Sequence, residues 1–312
     1  MIFLPHSEGF LILARWLMFM STVTLLGLFG LACFVFPFSR PETPVLLRRL
    51  RLSAIGGCLL LMGAATADIA MRCCCASGSM SRACMLFCPM LELTHMGHLW
   101  MFRMGLCIVL LLSMIGGRSW MRGVQGILAL LLGGCLSLSS HAADQGNFSL
   151  HLVMDMIHAM SAGLWLGGLF CLAFLLWLEP MAMSADYLAE TIPRFSTMAG
   201  ICLGTLMIGG LYNTWVSLPS LSSFLTTPYG RLLSLKLIIF GVLTCCGAMN
   251  RYRIVPQVRR LEAGSSALFG KWIRREVWLG LLVLGITAVL SETMPPHSTT
   301  HHHQEISEQP TP

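Results

Sequence analysis

The sequence predicts an all-α membrane protein, a polytopic bundle of about eight transmembrane helices. Apolar residues make up 55% of the 312 residues and charged residues only 11%, whereas about a quarter of the residues in a soluble chain are charged. Apolar stretches long enough to cross a hydrocarbon core of about 30 Å recur eight times along the chain. The alternation of apolar and polar residues that is typical of transmembrane strands is absent, which argues against a β-barrel.

The eight stretches occupy most of the chain, which we interpret as one integral membrane domain over residues 1–312. They cover residues 10–36, 52–70, 95–115, 124–140, 149–178, 195–216, 232–249 and 272–290. Because the first stretch is too long for the apolar core of a signal peptide, we expect no cleavage there. Glycines such as Gly163 and Gly167 are expected to let helices approach closely.

Positive charges predict the orientation of the bundle, because cytoplasmic loops of membrane proteins are enriched in Lys and Arg. Fourteen of the 20 basic residues fall in the loops after the first, third, fifth and seventh stretches. They are Arg40, Arg48, Arg49, Arg51, Arg118, Arg122, Arg194, Arg251, Arg253, Arg259, Arg260, Lys271, Arg274 and Arg275. Both termini are therefore predicted to lie outside the cytoplasm. The fifth loop, which contains Glu179, Asp186 and Glu190, is the only one of these loops that does not support the predicted orientation.

The basic residues indicate a lipid bilayer as the partner of this chain and no nucleic acid, since no basic stripe interleaved with aromatic residues occurs. All ten histidines fall on the predicted outer side, whereas random placement would scatter them. Imidazole is the commonest transition-metal ligand and also carries protons. The histidine skew therefore indicates metal or proton chemistry at the outer face.

The fifth stretch carries the main candidate site. His151, Asp155 and His158 are spaced i, i+4 and i+7, so they share one helical face near its outer end. Ionisable groups inside a membrane are costly and usually face a cavity, and Met154 adds a thioether nearby. As an alternative, Asp155 pairs with Arg103 in the third stretch and the histidines only sit at the interface.

Further candidate ligands lie on the same predicted side. His95 and His98, at i and i+3, share one face at the mouth of the third stretch, and His141 precedes the fifth. Together with the fifth stretch they would close a site from three helices. The alternative for His95 and His98, next to Trp100, is a membrane-boundary position.

The outer segment 71–94 is rich in sulfur and is predicted to be a periplasmic loop. Besides four methionines it carries Cys73, Cys74, Cys75, Cys84 and Cys88. Thiolates and thioethers suit Cu(I), although an oxidising compartment would join such thiols as disulfides. The segment 291–312 is predicted to be a flexible tail, and its histidines are auxiliary ligands: His297, His301, His302 and His303.

Several motifs resemble those of the copper resistance protein D family of bacterial inner-membrane proteins. They include PYGRLLSLKLIIF, MNRYRIVP and FSTMAGICLGTLMIGGLYNTW, then REVWLGLLVLGITAVLSETMPP, SHAAD and IHAMSAGLWLGGL. The resemblance runs from about the third stretch to the eighth and is most specific over 195–290. The first stretch has Met18 where relatives often show histidine, and the cysteine-rich segment has no counterpart in the family pattern.

The resemblance implies a multi-pass inner-membrane protein, not an enzyme, that moves copper, the expected metal cofactor or cargo, between periplasm and cytoplasm in copper resistance. It implies a periplasmic copper carrier of the CopC type as partner. His141, His151 and His158 match the family's outer-side histidines by position. Four polar residues of the second half also match and are interpreted, like Arg103, as structural or gating residues: Lys236, Asn250, Arg251 and Glu276.

Two other functions stay open at this point. A membrane electron-transfer protein would hold haem b between two histidines at similar depth on different helices, for which His98 with His158 would qualify. A docking partner for periplasmic copper proteins would bind them without moving copper.

Overall fold

The computed structural model describes residues 7–115, 121–140, 149–218 and 220–296. These residues form α-helices, two of which continue into single π-helical segments, Leu31–Val35 after α1 and Asn250–Ile254 after α9. In chain order the helices are α1 (Ser7–Gly30), α2 (Thr43–Ser77), α3 (Met80–Leu93), α4 (His95–Ser113), α5 (Met121–Leu138), α6 (Leu150–Leu178), α7 (Ala185–Ser217), α8 (Ser223–Thr226), α9 (Pro228–Met249), α10 (Val255–Arg259) and α11 (Ser265–Ser291).

The prediction of an all-α polytopic bundle is confirmed. Among the described residues seven helical spans are long and apolar enough to cross a membrane, and each of them overlaps one of the first seven predicted stretches. The eighth stretch lies in α11, which is 27 residues long. Its first turns carry Lys271, Arg274, Arg275 and Glu276, so its uninterrupted apolar run begins only at Val277.

Side-chain caps fix where several membrane helices begin, because the first N–H groups of a helix have no partner within it. Ser149 accepts a hydrogen bond from the Leu152 N–H and starts α6. Thr94 caps α4 in the same way, and Thr227 caps α9, where Pro228 fits the first turn. The cap at Ser149 places the histidine row of α6 within its first three turns.

The bundle is built around α6, which packs against α1 and α7. The backbones of α1 and α6 touch at Gly27 and Gly167: a Cβ added to Gly167 would lie 1.8 Å from the Val23 carbonyl oxygen. Small residues allow this approach, as in many membrane helix pairs. On the other side α9 packs mainly against α11, which leaves space between that pair and the α6–α7 pair.

We call the end of the bundle where α6 begins the histidine end, and the opposite end, where α1 finishes, the arginine end. Three loops meet at the arginine end. Arg40, after α1, pairs with Glu190 of α7 at 2.9 Å, and Arg49 pairs with Glu179 after α6. Arg122 of α5 lies 4.1 Å from the centroid of the Phe38 ring. The acidic fifth loop thus neutralises arginines of the first loop.

The segment 71–94 is helical rather than an irregular loop. The α2 helix extends through the cysteine run to Ser77 and ends where Gly78 adopts a left-handed conformation (φ 69°). Then α3 follows, and it packs against α2 and α4. The apolar pattern of the sequence does not predict this extension, because a helix that leaves the hydrocarbon layer no longer needs an uninterrupted apolar composition.

Candidate functional site

A cavity of about 990 Å³ lies inside the bundle between α6 and α7 on one side and α9 and α11 on the other. Its wall along α6 runs from His151 to Leu166, which is about 22 Å at 1.5 Å per residue. At the far end Trp165 and Phe240 make an edge-to-face contact with ring centroids 6.1 Å apart. The cavity therefore reaches from the histidine end to the middle of the bundle.

The row His151, Asp155 and His158 lines this cavity, together with Ser140 and Asn213. Asp155 is held in place by two neutral donors. The Ser140 hydroxyl donates to Asp155 Oδ2 at 3.1 Å, and the Asn213 amide of α7 donates to Oδ1 at 2.8 Å. Neutral donors orient a carboxylate without cancelling its charge, so Asp155 remains available to a cation.

The alternative partner of Asp155, Arg103, lies elsewhere. Arg103 is buried on α4 and donates to the Cys135 carbonyl of α5 at 3.1 Å. No ion pair between Arg103 and Asp155 occurs among the described residues. Arg103 consequently belongs to the packing of α4 on α5.

His158 makes close contact with α7. Its Nδ1 lies 3.0 Å from the Leu206 carbonyl oxygen, and since a carbonyl only accepts, Nδ1 carries the proton. A Cβ added to Gly210 would lie 3.1 Å from the His158 ring, so a larger residue there would crowd the imidazole. The bond leaves Nε2 as the nitrogen with a free lone pair, which is the arrangement found for metal-binding histidines.

His151 is buried beside the Tyr212 ring, with ring centroids 6.3 Å apart. Its Nδ1 has no hydrogen-bond partner among the described residues. Seven residues separate His151 from His158, a descent of about 10 Å. Within the described parts of the chain no three His, Cys, Asp or Glu side chains are close enough to hold one ion, so this row offers successive ligand positions rather than one chelate.

Two cationic side chains also line the cavity, Lys236 of α9 and Arg15 of α1. The charge of Lys236 acts on both Asp155 and His158. No ion pair within 4.0 Å is described for the Lys236 ammonium. Lys236 therefore lowers the attraction of the cavity for a further cation.

An ion cluster borders the cavity at the histidine end, formed by Arg15, Asp68, Arg72 and Glu292. Arg15 Nε donates to Glu292 at 2.9 Å and lies 3.7 Å from Asp68. Arg72 donates to Asp68 at 3.1 Å and to Glu292 at 2.8 Å. The cluster joins α1 and α2 to the residue that follows α11.

Other predicted ligands lie apart from the cavity. His95 and His98 are exposed at the start of α4 and do not line it. Met154 belongs to α6 but is also outside the cavity wall. The remaining candidates, His141, His297, His301, His302 and His303, lie outside the described residues. The haem alternative gains no support, because exposed His98 does not face His158 across the cavity.

The cysteines of segment 71–94 take different positions. Cys73 is buried and its thiol contacts the Met90 thioether at 3.1 Å, while Cys74 packs in the same small core. Cys75 is half-buried, and Cys84 and Cys88 are exposed free thiols on α3. The contact of Cys73 with Met90 thus joins two soft ligands on neighbouring helices.

The polar residues of the second half connect helices near the arginine end. Asn250 donates to the buried Glu276 of α11 at 3.1 Å, and Arg251 donates to the Ser196 hydroxyl of α7 at 3.1 Å. Neither these residues nor Glu276 line the cavity, in contrast to Lys236.

Sequence reasoning missed several residues that line the cavity, which are Ser140, Asn213, Met207 and Arg15 of the ion cluster. A signal existed for the ion cluster, since Arg15 and Asp68 are opposite charges inside apolar stretches. Ser140, Asn213 and Met207 gave none, because their position beside α6 depends on how α5 and α7 pack.

Two family models match the chain. Copper resistance protein D matches residues 189–290, and the N-terminal domain of copper resistance protein D-like proteins matches residues 6–151. The chain belongs to the copper resistance protein D family. The match from residue 6 extends the likeness to the first helices, where the motifs alone were weak. Asp155 and His158 fall between the two matched regions.

Three relatives are each about a quarter identical in sequence to this chain. Copper transport protein CutJ of Bacillus subtilis is 27% identical over 208 residues, 64% of this chain and 37% of CutJ. Copper resistance protein D of Pseudomonas syringae pv. tomato is 28% identical over 222 residues, 66% of this chain and 71% of its own length. Inner membrane protein YebZ of Escherichia coli is 26% identical over 211 residues, 65% and 70% of the two chains.

The chain thus spans little more than a third of the length of CutJ. No solved structure matches it. Family membership, together with the seven apolar helical spans of the described residues, makes this a membrane protein of the copper resistance protein D family.

Proposed function

We propose that this protein carries copper ions across the bacterial inner membrane, from periplasm to cytoplasm, through the cavity along α6. One observation carries the proposal: His151, Asp155 and His158 line the same 990 Å³ cavity, and the Nδ1 bond of His158 to Leu206 leaves Nε2 free for a metal. Imidazole and thioether suit copper better than hard cations such as Mg²⁺. The names of CutJ and of copper resistance protein D support copper as the cargo.

In this proposal copper binds first at His151, whose buried Nδ1 has no hydrogen-bond partner in the part of the chain that the structure describes. It then moves about 10 Å inward to His158, past Asp155, whose carboxyl group is oriented by Ser140 and Asn213. His95, His98 and His141 would collect copper at the mouth, as would the auxiliary ligands of segment 71–94 and of the tail. A CopC-type carrier is the proposed donor.

Release toward the arginine end requires a conformational change. Trp165 and Phe240 close the cavity by an edge-to-face contact, and no described lining residue lies beyond Leu166 on α6 or Leu243 on α9. Transport would therefore proceed by separation of α9 from α6 at this contact, with Lys236 of α9 moving relative to the bound ion.

The test is copper uptake into vesicles of known orientation, measured with radiocopper. His151→Ala and His158→Ala should each reduce uptake at least about tenfold, because each removes one position of the row, and Asp155→Asn should reduce it partially. Thr287→Val is the matched control: Thr287 lines the same cavity but its hydroxyl bonds within α11. If the double histidine variant inserts normally and takes up copper like the parent, the proposed path is wrong.

Orientation is tested separately. With the termini outside, reporter fusions after Arg260 should give cytoplasmic signals and fusions after Ser79 periplasmic ones, because the arginine end is proposed to face the cytoplasm. Reversed signals at both positions would invert the direction of uptake that we propose.

A further inference from the structure

Four sulfur-containing side chains pack together where α2 meets α3, at the histidine end of the bundle. The Cys73 thiol of α2 lies 3.1 Å from the thioether sulfur of Met90 of α3. Cys74 and Met71 of α2 pack in the same small core. We call these four side chains the sulfur cluster. Cys73 is only 1% exposed, so its contact with Met90 is shielded from solvent.

The backbone of α3 is held in place at Met90 by the start of α4. A Cβ added to Gly97 of α4 would lie 2.2 Å from the Met90 carbonyl oxygen, and the Thr94 hydroxyl donates to the same oxygen at 2.6 Å. Three residues before Met90, the Phe87 ring meets the Trp100 ring of α4 edge to face, with centroids 6.2 Å apart. The packing of α3 on α4 therefore presents the Met90 thioether to α2.

The donor atoms of the sulfur cluster are soft. Thiolates and thioethers select Cu(I), whereas hard cations prefer oxygen ligands. Bonds of about 2.3 Å, as between zinc and thiolate, place two sulfur ligands of one ion about 4 Å apart. The sulfurs of Cys73 and Met90 would therefore separate by about 1 Å to admit an ion, which the three rotatable bonds of a methionine side chain allow.

We propose that Cys73 and Met90 bind one Cu(I) ion between α2 and α3. This inference rests on the proposed copper function and adds the oxidation state in which copper is captured. On binding, the Cys73 thiol loses its proton, its thiolate forms one Cu–S bond, and the Met90 thioether donates a lone pair to form the second. One proton is released and no electron is transferred. Cu(I) with one thiolate and one thioether has no net charge, so a buried site needs no counter-ion for it.

The sulfur cluster lies beside the ion cluster that borders the cavity. Cys73 directly follows Arg72, a member of the ion cluster, and Arg15 of the same cluster lines the cavity. The sulfur cluster itself is outside the cavity lining that the structure describes. We assign to it the capture of reduced copper at the histidine end, from which the ion passes to the histidine row.

The experiment measures the binding of Cu(I) to the purified full chain in detergent micelles without oxygen, in competition with a chromogenic Cu(I) chelator. The parent protein carries Ser at three exposed or half-buried positions of the segment, so that their thiols do not contribute: Cys75, Cys84 and Cys88. We expect Met90→Leu to weaken Cu(I) binding at least about tenfold, because leucine keeps the volume but lacks the sulfur. Cys73→Ser should lose one Cu(I) per chain together with the release of one proton.

Met85→Leu is the matched control, since Met85 lies on the same helix but is 77% exposed. Its Cu(I) affinity should equal that of the parent. The copper–sulfur scattering in X-ray absorption should fall in Met90→Leu and stay unchanged in Met85→Leu. Equal Cu(I) affinity of the Met90→Leu and Met85→Leu variants would overturn the site.

A second measurement needs no change in the core. Bound Cu(I) should slow alkylation of Cys73 by a small reagent at least about tenfold, as read by mass spectrometry, because the metal-bound sulfur is no longer a free nucleophile. Alkylation of buried Cys171, whose thiol donates to the Thr24 carbonyl, should stay the same. Equal alkylation of Cys73 with and without Cu(I) would also overturn the site.

The failure of this site can be told apart from the failure of the cavity path. The His151→Ala and His158→Ala variants keep the whole sulfur cluster. Normal copper uptake by the double histidine variant would contradict only the cavity path, whereas an unchanged Cu(I) affinity of Met90→Leu would contradict only the sulfur site.

Discussion

At the scale of single residues, the chemistry of the cavity depends on partners that the chain brings from far away. His158 presents a free Nε2 because a carbonyl of α7 fixes its other nitrogen. Asp155 is oriented by an amide of α7 and by the Ser140 hydroxyl rather than by an arginine. Such outer partners typically change metal affinity by about 10–100-fold when removed.

Lys236 leads to a prediction at this scale. Its ammonium shares the cavity with Asp155 and His158, so it opposes a second cation there. Lys236→Gln should bind copper on the order of tenfold more tightly, since a like charge is removed from a site of low dielectric, and should turn over more slowly in vesicle uptake. Lys271→Gln, on the exposed start of α11, is the control. Binding that is unchanged or weaker would show that Lys236 does not set the affinity.

At the scale of helices, the sequence predicted most of the architecture. The fifth predicted stretch, 149–178, and α6 agree within one residue, because an apolar run and a serine cap mark the same boundary. The prediction was poorer for α2, which begins at Thr43 and ends at Ser77 rather than covering 52–70. The charged and thiol-bearing turns at the ends of α2 are helical but not apolar, so a search for apolar stretches does not detect them.

The contact of α1 with α6 gives a second prediction. A Cβ at residue 167 would collide with the Val23 carbonyl oxygen, so Gly167→Ala should force the two helices apart. We expect a loss of stability of about 1–3 kcal/mol, measured by thermal unfolding in detergent. Gly105→Ala is the matched control, because a Cβ there meets nothing within 4 Å and alanine favours a helix over glycine. Equal unfolding temperatures for both variants would contradict the close contact.

At the scale of the whole molecule, the ion cluster joins the first two helices of the bundle to the end of its last helix. Asp68 is buried and accepts from Arg72 while lying near Arg15. Asp68→Asn should destabilise the protein by about 3–5 kcal/mol, since removing one partner leaves buried charge without compensation. Thermal unfolding measures this effect, with Asp186→Asn, an exposed site on α7, as control. A shift no larger than that of the control would mean that solvent already screens the cluster.

The candidate site was only partly predictable at this scale. Spacing alone put His151, Asp155 and His158 on one face of a helix, and the structure shows that this face lines a cavity. Which side chains stand opposite depends on tertiary packing: Lys236 comes from a helix nearly eighty residues later, and Asn213 from α7. The exposed His95 and His98 share the predicted side of the bundle with this row but not its cavity.

The bond between Arg15 and Glu292 has a consequence for how the protein is made. The two residues are 277 positions apart in the chain, and ribosomes add about 5–20 residues per second. On the order of 15–55 s therefore pass between the synthesis of Arg15 and that of Glu292. During this time Arg15 of the first helix lacks the Glu292 carboxylate. Until then Asp68 of α2, which lies 3.7 Å from Arg15 in the folded protein, is the carboxylate of the ion cluster that Arg15 can reach. We therefore expect the ion cluster to be completed only after Glu292 has been synthesised.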